Sequence, residues 1–283
     1  MTTDANGGYV LDVESPTEMA RLINLDQFIT KGMGGALTGL EEFSLEQILD
    51  VACGPGGWVL NAAFASPDVE VTGIDLSKTM IDYARARAQS QELPNAFFEI
   101  MNITRPLEFD DETFDLVNAR FLVGVLKREQ WAPLITECTR ILRPGGILRL
   151  TETLNYGATT SRAYEQFFAL CAQALFQAGY GFSVDGRTFD MTPVLPRLLR
   201  NAGYSTVHIK AHALEISAGT EGWSDFYRNA DITSQTILPF LIKTNVATEE
   251  EGKALHDQLL VDLLSEDFCG MWHYVSAWGI KES

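Results

Sequence analysis

The stretch ILDVACGPGGWVLNAAF, residues 48 to 64, constrains this chain more than any other. Its apolar start reads as a strand and its alanine-rich end as a helix, with Gly54, Gly56 and Gly57 crowded between them. Glycines there let a ligand come close to the backbone, and the following helix opens with unpaired amides and a positive dipole end. Taken alone, such a loop suits many anionic ligands, or none, if it is only a tight turn.

The same alternation continues on either side. Strands are expected at 47–52, 69–75, 96–102, 114–120 and 147–153, with helices at 77–90 and 128–142 and a turn at RPGG, 143–146. Strands alternating with helices imply a mostly parallel sheet covered on both faces. Two further strands, 205–217 and 269–282, bring the expected count to seven. An N-terminal helix should start at Ser15-Pro16 and end before the glycines of KGMGG, 31–35. After Thr153 a long helix at 161–180, a shorter one at 193–204 and a mainly helical stretch at 219–266 break the alternation. The expected fold is therefore α/β, a doubly wound, Rossmann-like, mostly parallel seven-stranded sheet with a helical cap. The expected organisation is an N-terminal helical lid (1–45), a ligand-binding core (46–153), a cap insertion (154–190), a core continuation (191–216), a second cap insertion (217–268) and a last core strand (269–283).

Charge excludes one class of partner. Lys and Arg number 21 against 38 Asp and Glu, a net charge of −17, which repels a phosphate backbone. Cysteines 53, 138, 171 and 269 stand alone, so neither a zinc site nor a redox pair is expected, and no metal is expected elsewhere. The first 15 residues lack a basic region followed by an apolar core, and no run is apolar enough to span a bilayer. The expectation is a cytoplasmic protein, monomer or homodimer, acting on a small molecule without nucleic acid or membrane.

Asp75 narrows the ligand. It ends the second strand, 21 residues after Gly54, where an acid can accept both hydroxyls of a ribose. NAD and S-adenosylmethionine both carry one. The dinucleotide pattern GxGxxG started at Gly54 needs glycine at 59, where Val59 stands. Asp50, in the strand before the loop, would repel a pyrophosphate and suits a ligand with an ammonium group.

At this point LDVACGPGG, VTGIDLSKTMIDYAR, FFEIMNI, FDLVNARFLV and RILRPGGILRLTE resemble, in order and spacing, the motifs of class I S-adenosylmethionine-dependent methyltransferases, nearest to the small-molecule enzymes of the ubiquinone-biosynthesis type. The resemblance covers residues 46 to 153, with weaker support from LLRNAGYSTVHI. It implies that Asp50 and the backbone of Ala52, Gly54 and Gly56 hold the methionyl end of the cofactor. Asp75 would take the ribose, and Leu76 and Met80 would pack on the adenine. Family members often have an acid where Asn102 stands, and its side-chain oxygen could still accept from the adenine amino group. Ile103 would add a backbone amide. Arg120 would lie beside the cofactor, facing substrate, unless it is a surface arginine paired with an acid.

The family usually joins its last two strands by a short hairpin, and here about 50 residues (217–268) intervene. With the N-terminal helix they could form a lid that keeps water from methyl transfer. Phe168, Trp223 and Tyr227 are expected in its chamber, although Trp223 and Tyr227 fall at a helical spacing that core residues also show. Tyr9 and KGMGG are candidates to close over the cofactor. No general base stands out. His273, flanked by Trp272 and Tyr274, is expected to be partly buried, and Glu152 ends the fifth strand facing the crevice. HExxH, a Walker lysine and GxSxG are absent. The expected activity is methyl transfer to a small, largely apolar metabolite. The alternatives are a cofactor-binding protein whose cap steers a non-methylating reaction, and an NAD-dependent oxidoreductase.

Overall fold

The computed structural model describes residues 10–11 and 14–282, and its strands form one sheet. β1 (Gln47–Val51), β2 (Glu70–Asp75), β3 (Ala96–Ile100), β4 (Phe114–Arg120) and β5 (Leu142–Thr153) are parallel, in the order β3-β2-β1-β4-β5. The last strand, β8 (Gly270–Ile280), runs antiparallel to β5, and β7 (Val207–Glu215) pairs with the other edge of β8. The strand beyond the expected seven is β6 (Ala158–Thr159), two residues paired with the start of β8.

The period-two pattern of the strands feeds two cores. Ile48, Leu116 and Ile147 pack with Trp58 and Val59 of α2 (Gly57–Ala65) and Ala84 of α3 (Lys78–Ser90). Their neighbours Leu49, Val117 and Leu148 point the other way, to Leu134 of α4 (Trp131–Ile141) and Leu199 of α6 (Leu195–Asn201).

A third core lies in the cap, where α1 (Pro16–Met33), α5 (Arg162–Gln177), α7 (Trp223–Lys243) and α8 (Glu249–Leu263) bury Phe28, Phe167, Phe226 and Leu259 together. α7 and α8 fill the long connection between β7 and β8. Among the described residues no helix is long and apolar enough to cross a membrane.

Two local expectations change. RPGG is not a turn ahead of β5 but part of it. The pairing with β4 shifts between Phe114–Leu142 and Leu116–Ile147, and Gly145 takes a positive φ of 81° in the resulting bulge. α1, capped by Ser15 and started by Pro16, runs through Lys31 and Gly32 and stops only at Gly34, whose φ is 88°. Gly32 is there for packing, since a Cβ would lie 2.1 Å from Leu214 of β7.

Candidate functional site

The strand order reverses between β1 and β4, which opens a crevice beyond their carboxyl ends. The segments after β1, β2, β3 and β4 meet there around one cavity. Asp50, Ala52, Gly54, Asp75, Leu76, Met80, Asn102, Ile103 and Arg120 all line it. Gly56 does not. It lies beneath the loop at φ 76°, where a Cβ would come within 2.6 Å of Phe98 and 2.8 Å of Ala84, so this glycine lets the loop settle on β3 and α3.

Asp75 shapes the loop as well as facing the cavity. Its carboxylate accepts from the amides of Gly54 and Ser77, each at 2.9 Å. Burial pushes its pKa up, and these amides hold it down. Ala52 takes a left-handed φ of 55°, and the Cys53 amide donates to Ile74 at 2.9 Å, which joins the loop to β2. Asn102 departs from expectation. Its side-chain oxygen accepts from the amide of Thr104 at 2.9 Å and its hydroxyl at 2.8 Å. The atom offered to an adenine amino group is therefore engaged in a local turn.

Sheet register explains how Asp50 is held. Asp50 lies beside Asn118 of β4, and Asn118 beside Arg149 of β5. Asn118 donates to Asp50 at 2.7 Å and accepts from Nε of Arg149 at 2.8 Å. Arg149 also donates to the carbonyl of Ala36 at 2.6 Å and stands over Trp58, 5.5 Å from the ring centroid. Its Nη1 has no partner among the described residues. All three side chains are buried. Burial raises the Asp50 pKa to about 7, against the pull of Arg120 and the Asn118 hydrogen bond. The sequence held a signal for this row, a polar residue set among apolar neighbours in ILDV, LVNA and ILRL.

The opposite wall comes from α1, expected only as part of a lid, and from the segment after β4, of which only Arg120 was expected at the site. Leu22, Leu25, Asp26 and Ile29 line the cavity from α1, and Phe121, Leu122 and Val125 from the far side. Their α1 positions, i, i+3, i+4 and i+7, were legible as a stripe with an acid in it. Asp26 forms an ion pair with Arg120, whose Nη1 donates to Thr30 at 3.1 Å. Arg120 is thus paired with an acid, yet it faces the cavity and is nearly buried rather than superficial.

Other expected residues lie elsewhere. Glu152 does not reach the cavity. Its Oε1 accepts from the Leu122 amide at 2.5 Å, and burial raises its pKa to about 8. It steadies the turn after β4, in which Phe121 holds a left-handed φ of 54°. His273 is exposed on β8, because alternation along the strand turns Trp272 and Tyr274 inward and the residue between them out. Phe168 stacks with Tyr156 and Tyr164 inside the cap, and Trp223 packs on Tyr227 while donating to Leu263 at 2.9 Å. None of the three lines the cavity, because the helical stripe that suggested a chamber closes the cap's own core. Tyr9 lies outside the described residues.

Comparison with known proteins agrees with this geometry. A family described as methyltransferase domain matches residues 48–146. The probable methyltransferase ltbC of Aspergillus luteorubrus is 30% identical over 193 residues, 63% of this chain and 63% of that protein. A demethylmenaquinone methyltransferase of a Geobacillus strain is 26% identical over 182 residues, 61% of this chain and 76% of its own. The YcgJ protein of Bacillus subtilis shares the fold, with a TM-score of 0.56 at 18% identity over 89% of this chain and 99% of that one. Residues 48–146 of this chain thus match a methyltransferase domain, set in a fold that solved methyltransferases share. The chain spans 63% of ltbC and only 49% of a second fungal relative, methyltransferase pytC of Aspergillus terreus.

The crevice of this methyltransferase domain suits its cofactor. Asp75 offers a carboxylate of the kind a ribose diol needs, and Asp50 one of the kind an ammonium needs. Where a dinucleotide fold would use a third glycine to bring helix against strand, the domain has Val59 fully buried and places the glycine opposite. A Cβ on Gly73 of β2 would lie 2.9 Å from Val59 and 2.8 Å from Cys53.

Proposed function

We propose that this protein transfers a methyl group from S-adenosylmethionine to a small, largely apolar metabolite. The carrying observation is the make-up of one cavity. A polar side with Asp50, Asp75 and the glycine loop faces an apolar wall of Leu22, Leu25, Ile29, Phe121, Leu122 and Val125. Bound there, the cofactor supplies an electrophilic methyl group on a sulfonium.

The chain's part is to bind, orient and exclude water. Asp50 and the backbone of Ala52 and Gly54 hold the methionyl end, Asp75 the ribose, and Leu76 and Met80 the adenine. Ile103 contributes its amide, and Asn102 keeps only its amide nitrogen for the ligand. Arg120 lies beside the cofactor. In this reading α1 closes one side of the cavity, and the cap helices of the insertions 154–190 and 217–268 pack behind it. Proton removal falls to the substrate or solvent, since Glu152 is bound to the Leu122 amide and His273 faces outward.

Calorimetric titration with S-adenosylmethionine and with NAD tests the cofactor, and binding of NAD alone would overturn the reading. Mass spectrometry of co-purifying ligands, followed by a search for products heavier by one methylene, tests the transfer. A protein that binds the cofactor yet methylates none of those ligands would lose the substrate half of the proposal.

A further inference from the structure

The cavity-facing stripe of α1 is apolar except for Asp26. Its side chain is only 14% exposed and that of its partner Arg120 only 10%, so two charges have been taken out of water at the cavity wall. Such burial is costly unless the charges have further work or excellent pairing. Pairing here is incomplete. Oδ1 of Asp26 takes the Arg120 guanidinium and the Thr30 hydroxyl, the latter at a loose 3.4 Å, while Oδ2 has no hydrogen bond among the described residues. Arg120 spends one nitrogen on Asp26 and one on Thr30.

Gly57 supplies an independent observation. Its φ is not positive, so no backbone strain calls for glycine there. A Cβ at that position would lie 2.2 Å from Oδ2 of Asp26. The last glycine of the loop is what lets the α1 carboxylate sit against the start of α2. That seat also places Asp26 close enough to Asp50 to push its pKa upward. Asp26 and Asp50 are thus gathered at one end of the cavity beside Arg120, while Arg149 reaches Asp50 only through Asn118.

We propose that Asp26 is a cofactor-binding residue, delivered by α1, which together with Arg120 holds the zwitterionic amino-acid end of the cofactor. This rests on the methyltransferase reading above. The ammonium meets the Oδ2 of Asp26 and the carboxylate of Asp50, and the carboxylate of the cofactor meets the remaining N–H groups of Arg120. A salt bridge that merely fastened α1 would need neither an Oδ2 without a hydrogen bond nor a place on the cavity wall.

Two probes separate the possibilities. S-adenosylhomocysteine keeps the amino-acid end, and 5′-methylthioadenosine has the adenosine and sulfur without it. Calorimetry of Asp26→Asn should show binding of S-adenosylhomocysteine weakened by about tenfold or more, the loss of a charge-assisted hydrogen bond, with 5′-methylthioadenosine unchanged. Gly57→Ala should weaken the same ligand, and adding it to Asp26→Ala should cost nothing more, because the clash it makes is with Asp26. If Asp26→Asn does not fold, the charge-balanced pair Asp26→Asn with Arg120→Gln should show the same selective loss. Equal weakening of both probes, or no weakening of either, overturns the proposal. Wild-type protein that binds neither probe overturns the cofactor reading itself, a distinguishable result.

Discussion

α1 carries two buried ion pairs built on opposite plans. Near its start, Glu18 receives two nitrogens of Arg21, at 2.8 and 2.6 Å, and Arg21 donates its third to Asn229 of α7 at 2.9 Å. Both carboxylate oxygens of Glu18 and all three guanidinium nitrogens of Arg21 are engaged there, and the cluster fastens α1 to the cap. Farther along it, Asp26 meets Arg120 at the cavity wall, with one carboxylate oxygen lacking a hydrogen bond among the described residues. The same chemistry serves packing in one place and a ligand in the other, and satisfaction of the polar atoms tells them apart. The sheet repeats the lesson, since the row Asp50, Asn118 and Arg149 also ends on a carboxylate at the cavity.

The largest effect should come from breaking the Glu18 and Arg21 cluster. Arg21→Met removes the guanidinium from which both oxygens of the buried Glu18 accept and should cost about 3–5 kcal/mol of stability, measured by urea denaturation. Glu18→Leu added to Arg21→Met should restore most of that loss. Neither change should alter cofactor affinity of the folded protein, and a large change would erase the contrast between the two pairs.

Next in size is the open end of the crevice. Asp75→Ala should weaken S-adenosylmethionine by about 1.5–3 kcal/mol in calorimetry. Unchanged affinity would refute the ribose role of Asp75.

A pH titration sharpens the comparison further. Asp50 is protonated below about 7 and can then no longer attract an ammonium. Cofactor affinity should therefore fall as pH drops from 8 to 5, approaching about tenfold per unit below the midpoint. Asp50→Asn should flatten the profile, and Arg149→Met should move the midpoint upward by removing a nearby cation. A flat wild-type profile would count against Asp50 as the ammonium partner.

The smallest effect concerns Glu152. Its folded pKa of about 8 lies above the unfolded value, so the native state keeps a proton that the unfolded chain gives up. Stability from this group is fully present at low pH and is lost as pH rises from about 5 through 8. Glu152→Gln removes that slope, so its melting temperature should match wild type near pH 4 and exceed it increasingly from pH 5 to pH 9. Equal melting temperatures throughout that range would contradict the buried, protonated carboxyl.

Local order along the chain determined much of this protein. The strand–glycine–helix unit at 48–64, Asp75 at a strand end and Val59 in place of a glycine select a doubly wound sheet and a nucleoside-bearing cofactor by residue type and spacing alone. Such features are local because a turn, a cap or a strand end needs only its own few residues. What tertiary structure alone decided is which side chains share the cavity. Asp26 lies 94 residues from Arg120 along the chain, and Asn118 lies 68 residues from Asp50, so only folding brings them together. The inward turn of Trp223 and Tyr227 and the outward turn of His273 were equally beyond reach. A helical stripe or an alternating strand reports that one face is buried, but the element packed against it determines whether that burial makes a core or a site.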